Sequence, residues 1–244
     1  MSTTEPVISI KDLGVEFSRT RRNINLRDLV FKRSGRMLGD SFWALRDVSF
    51  DVSQGEAIGV VGRNGQGKST LLKIVAGVLL PDKGQVRVNQ GVAPLIEITG
   101  GFAPDLTGRE NIYLAAGLHG MTKGEIDDRF DEIVAFSELE DFLDTPFRHY
   151  SSGMQVRLAF AVISRLEDPI LLVDEVLAVG DKAFRKKCHD RIEDLLSTGR
   201  TLFLVSHSDG DLKKFCDRGL YLRSGQLQAD GPIDEILEQY TKEG

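Results

Sequence analysis

The sequence predicts an α/β domain built on a largely parallel β-sheet, and three observations lead there. Short apolar runs of strand length alternate with segments of helical length along most of the chain. One strand-to-helix junction, residues 57–72, contains the glycine-rich turn Gly62-Arg63-Asn64-Gly65-Gln66-Gly67-Lys68-Ser69. A later apolar run, 170–173, ends in two adjacent carboxylates, Asp174 and Glu175.

Taken in order, 7–10 and 14–17 read as two short strand pieces of an opening β region. Residues 18–37 then change character. Arg19, Arg21, Arg22, Arg27, Lys32, Arg33 and Arg36 face a single acid, Asp28, and the interleaved Ile24, Leu26, Leu29, Val30 and Phe31 suit a short amphipathic helix. Two explanations stand: a solvated basic loop, or contact with anionic headgroups, a pyrophosphate-bearing substrate or a membrane partner. A strand over 42–52 and a turn at 53–56 lead into the strand that feeds the glycine-rich turn. The helix after that turn, 69–78, stops at Pro81-Asp82-Lys83-Gly84, and strands at 85–88 and 92–98 follow. From Thr99 the pattern becomes helical, with helices over 110–118 and 125–136. Thr122-Lys123-Gly124-Glu125 opens the second as a capping box, and 141–146 closes the block. Ser151-Ser152-Gly153 begins a helix running through Arg165. Then come the buried strand 170–173, a helix 184–196, a strand 201–205 and a helix 209–216. A hairpin about Arg223-Ser224-Gly225 and a last helix, 232–240, end the chain. The helical stretch, about 99–165, reads as a subdomain inserted into one domain covering 1–244.

Composition narrows the function classes. At 244 residues, 41% hydrophobic and 28% charged, the chain suits one soluble domain with a substantial core. The best apolar run, 74–80, is far too short to span a bilayer, and the polar start Met1 to Pro6 has no signal-peptide core, which predicts a cytoplasmic protein. A net charge of −6 argues against a general nucleic-acid binder. Cys188 and Cys216 have no metal or redox spacing and are expected as buried free thiols.

The glycine-rich turn fits G-x-x-x-x-G-K-S/T, the phosphate-binding loop. Its glycines let the backbone curl through positive φ and present N–H groups to phosphate, while the following helix adds the positive end of its dipole. Lys68 would reach the β- and γ-phosphates, and Ser69, followed by Thr70, would place a hydroxyl on Mg²⁺. In the paired acids, Asp174 can hold Mg²⁺ through water and Glu175 can act as general base on the attacking water. These residues predict a protein that binds a nucleoside triphosphate.

Tyr150-Ser151-Ser152-Gly153-Met154-Gln155 chooses among such proteins. It resembles the signature motif of ATP-binding cassette (ABC) ATPases, usually written L-S-G-G-Q. Ser151 and Gly153 match that form, and Tyr150, Ser152 and Met154 depart from it. A Ser and a Gly at a helix N-terminus can donate to phosphate, and Ser151 can also simply cap its helix. The resemblance implies an ABC ATPase fold: a mainly parallel core, an N-terminal antiparallel β region and an inserted helical subdomain. It further implies that Ser151, Ser152, Gly153 and Met154 face ATP held by a second copy, so the chain should form an ATP-sandwich homodimer. It makes His207 the switch histidine on the γ-phosphate, Asp181 part of a loop crossing the dimer interface, and Phe17 the aromatic that stacks on adenine. Phe42 or Trp43 could serve instead of Phe17.

Leu95-Ile96-Glu97-Ile98-Thr99-Gly100-Gly101-Phe102, Asp105-Leu106-Thr107-Gly108-Arg109-Glu110-Asn111-Ile112 and Glu175-Val176-Leu177-Ala178-Val179-Gly180-Asp181 look like one subgroup. They resemble the ATPases of bacterial polysaccharide exporters, which move O-antigen, capsule or teichoic-acid chains, and the likeness runs from about Val7 to Tyr240. It implies ATP and Mg²⁺ as cofactors, a separate integral-membrane permease, a lipid-linked polysaccharide handled through that permease, and a peripheral place on the cytoplasmic face of the inner membrane. Glu97 lies where most ABC ATPases keep a glutamine joining Mg²⁺, attacking water and permease; its carboxylate still offers an acceptor but adds negative charge. With Gly244 as the last residue, the C-terminal carbohydrate-binding domain that some O-antigen ATPases carry is not expected here. The rivals are an exporter subunit for a drug or lipid, a soluble ABC ATPase of DNA repair or translation, and a small-molecule P-loop kinase.

Overall fold

The computed structural model describes residues 5–18, 41–95, 100–174 and 181–243. The basic residues 19–36, Glu97 and Glu175 lie outside them.

Nine strands form two sheets among the described residues. The first holds β1 (Ile8–Ser18), β2 (Ser41–Val52) and β4 (Lys83–Val88), antiparallel in the order β2-β1-β4. The second holds β3 (Ala57–Val61), β5 (Val92–Leu95), β6 (Ile170–Val173), β7 (Thr201–Val205), β8 (Arg218–Arg223) and β9 (Gln226–Pro232). Its order is β5-β6-β7-β3-β8-β9, parallel except for the β8–β9 hairpin. The helices are α1 (Lys68–Val75), α2 (Gly108–Leu118), α3 (Lys123–Ser137), α4 (Ser152–Ile163), α5 (Lys182–Ser197), α6 (Asp209–Phe215) and α7 (Ile233–Glu243).

Side-chain alternation along the central strands divides the core in two. Ile58 and Val60, Ile170 and Leu172, Phe203 and Val205 pack with α1 and the antiparallel sheet. Leu171 and Val173, Leu202 and Leu204 face the other way, onto α2 to α7. Strands coated on both faces read as continuous apolar runs, which is why the sequence shows 170–173 as a buried strand; 201–205, expected only as a strand, is buried in the same way. Burial pushes the Cys188 and Cys216 thiols up to about 12, and both are free, as expected.

Several boundaries differ from those expected. The two opening pieces are one strand, β1, carried past a register shift at Asp12, whose φ is 50° and whose N–H donates to Ser49 Oγ at 2.8 Å. The helix after the glycine-rich turn stops at Val75, because Gly77 turns left-handed at φ 71° and the N–H groups of Val78 and Leu79 close back on the Lys73 carbonyl. Pro232 ends β9, so the last helix starts at Ile233 and continues to Glu243.

In the helical block, α3 opens with the predicted Thr122–Glu125 capping box, and α2 opens with a second one, Thr107–Glu110. Asn111, fully buried on α2, ties down the chain before it. Its Nδ2 donates to the carbonyls of Ala103, Leu106 and Thr107, and its Oδ1 accepts from the Ala103 N–H at 2.7 Å.

Candidate nucleotide-binding site

The glycine-rich loop joins β3, the strand between β7 and β8, to α1. Its glycines serve different ends. Gly65 takes φ 76° with open space around it, so conformation alone demands it. Gly67 takes φ 102°, and a Cβ there would lie 2.6 Å from the Ala44 carbonyl of β2. A Cβ on Gly62 would lie 2.4 Å from the Leu222 carbonyl of β8. The loop is therefore clamped by strands from both sheets.

Lys68 is 6% exposed and folds back over the loop, its Nζ donating to the carbonyls of Gly62 (2.6 Å) and Arg63 (3.1 Å). Asn64, Gly65, Gly67, Lys68, Ser69 and Thr70 line a cleft of about 250 Å³ together with Ala44, Phe17 and Phe42. Phe17 and Phe42 are register partners across β1 and β2, with ring centroids 5.9 Å apart. Both are unusually open for aromatics, at 38% and 42% exposure, and they wall the cleft beside the loop. Trp43 is not among the cleft's lining residues: Lys83 Nζ sits 4.6 Å over its ring, and a Cβ on Gly14 would lie 2.8 Å from it.

The side chain of Gln66 makes a contact that the sequence does not announce. Its Oε1 accepts from the backbone N–H of Ser224 at the β8–β9 turn, where Ser224 and Gly225 have φ of 52° and 76°. The Gly225 carbonyl accepts in turn from the Arg46 N–H at 2.8 Å. The hairpin is visible in the sequence, but its docking beneath the loop joins residues 158 positions apart and leaves no local signal.

Further candidates stand at the C-terminal ends of neighbouring strands. Half-buried Asp174 follows β6, and exposed His207 follows β7, the strand beside β3. Open parallel sheets place their ligands at this end. Exposed Ser69 and half-buried Asp174 offer only oxygen donors, and no group of three or more His, Cys, Asp or Glu residues forms a metal cage among the described residues. That donor chemistry fits Mg²⁺, which is held by few protein oxygens, phosphates and water.

The signature residues are elsewhere. Ser151 caps α4, its Oγ accepting from the Met154 N–H at 3.2 Å, and Ser151 and Ser152 are exposed while Gly153 and Met154 are half-buried. None of the four lines the cleft around Lys68. Asp181 caps α5 by accepting from the Phe184 N–H at 2.9 Å, and that bond, with its pairing to Arg157, holds its carboxyl below the usual range. Arg157, on α4, also pairs with Glu138 and lies 4.6 Å over the Phe184 ring. Through it, the helix carrying the signature is tied to Asp181 within one chain.

A phosphate-binding loop between a central parallel strand and its helix, with Asp174 and His207 at adjacent strand ends, defines a P-loop nucleoside triphosphatase. The ABC transporter family model matches residues 45–178. The chain belongs to the ABC transporter family, as one of its ATPases. It is 46% identical to the O-antigen export system ATP-binding protein RfbB of Klebsiella pneumoniae, over 97% of this chain and 98% of that protein. It is 39% identical to the teichoic acids export ATP-binding protein TagH of Listeria monocytogenes, over 96% of this chain and 70% of that one. Among solved structures, the ATP-binding subunit of an ABC transporter superposes with a TM-score of 0.76 at 25% identity, covering 98% of this chain and 95% of that one. A dimeric ATP-binding cassette in a post-hydrolysis state with ADP and Pi shares the fold, with a TM-score of 0.73 at 22% identity over 93% of this chain and 98% of that one.

Proposed function

We propose that this chain is the ATP-hydrolysing subunit of an ABC system that exports lipid-linked polysaccharide of the O-antigen or teichoic-acid type. The observation that carries the cargo class is the 46% identity to an O-antigen export ATPase along nearly the whole of both chains. In this reading, residues 1–244 form one ABC ATPase domain with the helical block of about 99–165 inserted in it. Two copies pair around ATP and drive a separate permease from the cytoplasmic face of the membrane. No helix among the described residues is long and apolar enough to cross a bilayer, which suits a peripheral subunit.

The division of labour follows from the site. The backbone N–H groups of the loop and the dipole of α1 take the phosphates, and Lys68 exchanges its two carbonyl partners for β- and γ-phosphate oxygens. Ser69, Asp174 and Glu97 would hold Mg²⁺, which offsets charge on the phosphates. Glu175 takes the proton of the attacking water, and His207 steadies the γ-phosphate. Ser151 to Met154 serve the ATP of the second copy, with Asp181 crossing between the two.

Phe17 and Phe42 together supply the adenine platform. Replacing either with Ala should weaken ATP binding by about 1–3 kcal/mol, the usual worth of one base stacked on an aromatic. Trp43→Ala should leave ATP affinity unchanged. Equilibrium titration with ATP checks this, and the platform is wrong if Trp43→Ala weakens binding while both Phe variants do not.

The cargo is tested in the cell. Deleting the gene should stop surface display of the polysaccharide while its synthesis continues, so that lipid-linked chains accumulate inside. The wild-type gene should restore display and a Lys68→Ala copy should not. Normal surface polysaccharide in the deletion strain would reject this cargo.

A further inference from the structure

Gly108 has no backbone reason to be glycine. It is the first residue of α2, its φ is not positive, and glycine in a helix is about 0.5–1 kcal/mol worse than alanine. What excludes a side chain is Tyr150: a Cβ on Gly108 would lie 2.1 Å from the Tyr150 hydroxyl oxygen and 3.1 Å from Cζ. Tyr150 is 5% exposed, its hydroxyl donates to the Phe142 carbonyl at 2.7 Å, and its ring lies 5.4 Å from that of Phe147. It immediately precedes Ser151, the cap of α4.

The contact closes a longer seam. The Gly108 and Arg109 N–H groups donate to the carbonyls of Thr145 (3.2 Å) and Leu143 (2.9 Å). In the other direction, Phe147 and Arg148 donate to Leu106 (2.8 Å) and Pro104 (2.9 Å), and the Arg148 guanidinium reaches Asp105 at 2.6 Å. Phe102 stacks on Phe147 with centroids 5.0 Å apart. The chain leading into α2 and the chain leading into α4 are thus fastened side by side, and the seam ends at the residue before Ser151.

We propose that Gly108 and Tyr150 are positioning residues for the signature serine: the tyrosine ring is a strut, and the missing Cβ is the seat for its hydroxyl end. The tyrosine that departs from the usual leucine and the glycine of Leu106-Thr107-Gly108-Arg109 then form one device. The inference rests on the reading of Ser151 as a contact to ATP held by the second copy.

Purified full-length chains test it. Gly108→Ala should push the ring off its seat and displace Ser151. A misplacement of about 1 Å costs on the order of 10²-fold in rate, so kcat should fall by about that factor. ATP binding to the loop of the same chain should not change, because Tyr150 is not in the cleft, and a purely structural defect would not respect that split. Tyr150→Phe removes the hydroxyl and its hydrogen bond to the Phe142 carbonyl but keeps the ring that forms the strut, and should keep most of the activity. The double variant Gly108→Ala, Tyr150→Phe removes the 2.1 Å collision and leaves the Cβ 3.1 Å from Cζ and 3.3 Å from the Leu143 carbonyl, a tight approach that a shift of a few tenths of an ångström relieves, and it should recover much of kcat. The strut is overturned if Gly108→Ala turns over normally, if it loses ATP binding as well, or if the double variant is no better than Gly108→Ala. Ser151→Arg, run in parallel, separates the two ideas. Its full activity would remove the shared site itself, whereas an inactive Ser151→Arg beside a fully active Gly108→Ala would remove only the strut.

Discussion

Glu175→Gln should leave ATP bound and bring turnover close to zero. Glutamine keeps the shape and the acceptor oxygen of the glutamate but cannot take a proton from water. General-base catalysis is worth about 10²–10⁴-fold, so the loss of kcat should fall in that range. Glu175 directly follows Asp174 at the end of β6, and β6 is one strand removed from β3 and its phosphate-binding loop. Trapped ATP should also hold two copies together, so the variant should elute as a dimer with ATP and as a monomer without it. Single-turnover measurement with ATP in the presence of Mg²⁺ gives the rate of the chemical step. Hydrolysis at the wild-type rate would show that the base is another group and that the site has been assigned around the wrong acid.

Much of this molecule is legible in its sequence because the physics involved is local. A phosphate-binding loop must be written as glycines at fixed spacing between an apolar strand and a helix, and the positive φ of Gly65 and Gly67 meets that demand. Strands coated on both faces, such as Ile170–Val173 and residues 202–205 of β7, read as continuous apolar runs. The Thr122–Glu125 box announces α3 for the same reason: its two hydrogen bonds span three residues. The twin box at Thr107–Glu110 is equally local, although in the sequence its residues stand out only through the subgroup resemblance.

What was not legible depends on residues distant in the chain. Phe17, Phe42 and Trp43 are equivalent as letters, and only the pairing of β1 with β2 sends the first two into the cleft and the third beneath Lys83. The shift at Asp12 that keeps β1 in one piece is set by Ser49 on the neighbouring strand. Arg157 reads as one more charge on a helix, but three-dimensional packing places Glu138, Asp181 and Phe184 around it. The clash that makes Gly108 a glycine comes from an oxygen 42 residues further along, beyond the reach of any periodicity.

Lys68→Ala should fail at an earlier step than Glu175→Gln. The Lys68 ammonium is almost wholly buried, held by the carbonyls of Gly62 and Arg63 at the floor of the cleft. It is therefore already desolvated and oriented before phosphate arrives, and little further ordering is needed on binding. Removing one member of a buried, hydrogen-bonded charge pair costs about 2–5 kcal/mol, so ATP affinity should fall by that amount. Lys68→Met keeps the apolar stem and much of its packing while deleting the charge. If the ammonium supplies the binding energy, Met and Ala variants should weaken ATP binding alike. If the stem only props the loop open, Met should bind nearly as well as wild type. Titration of each variant with ATP decides between these outcomes, and wild-type affinity in Lys68→Ala would mean that the loop backbone alone carries the triphosphate.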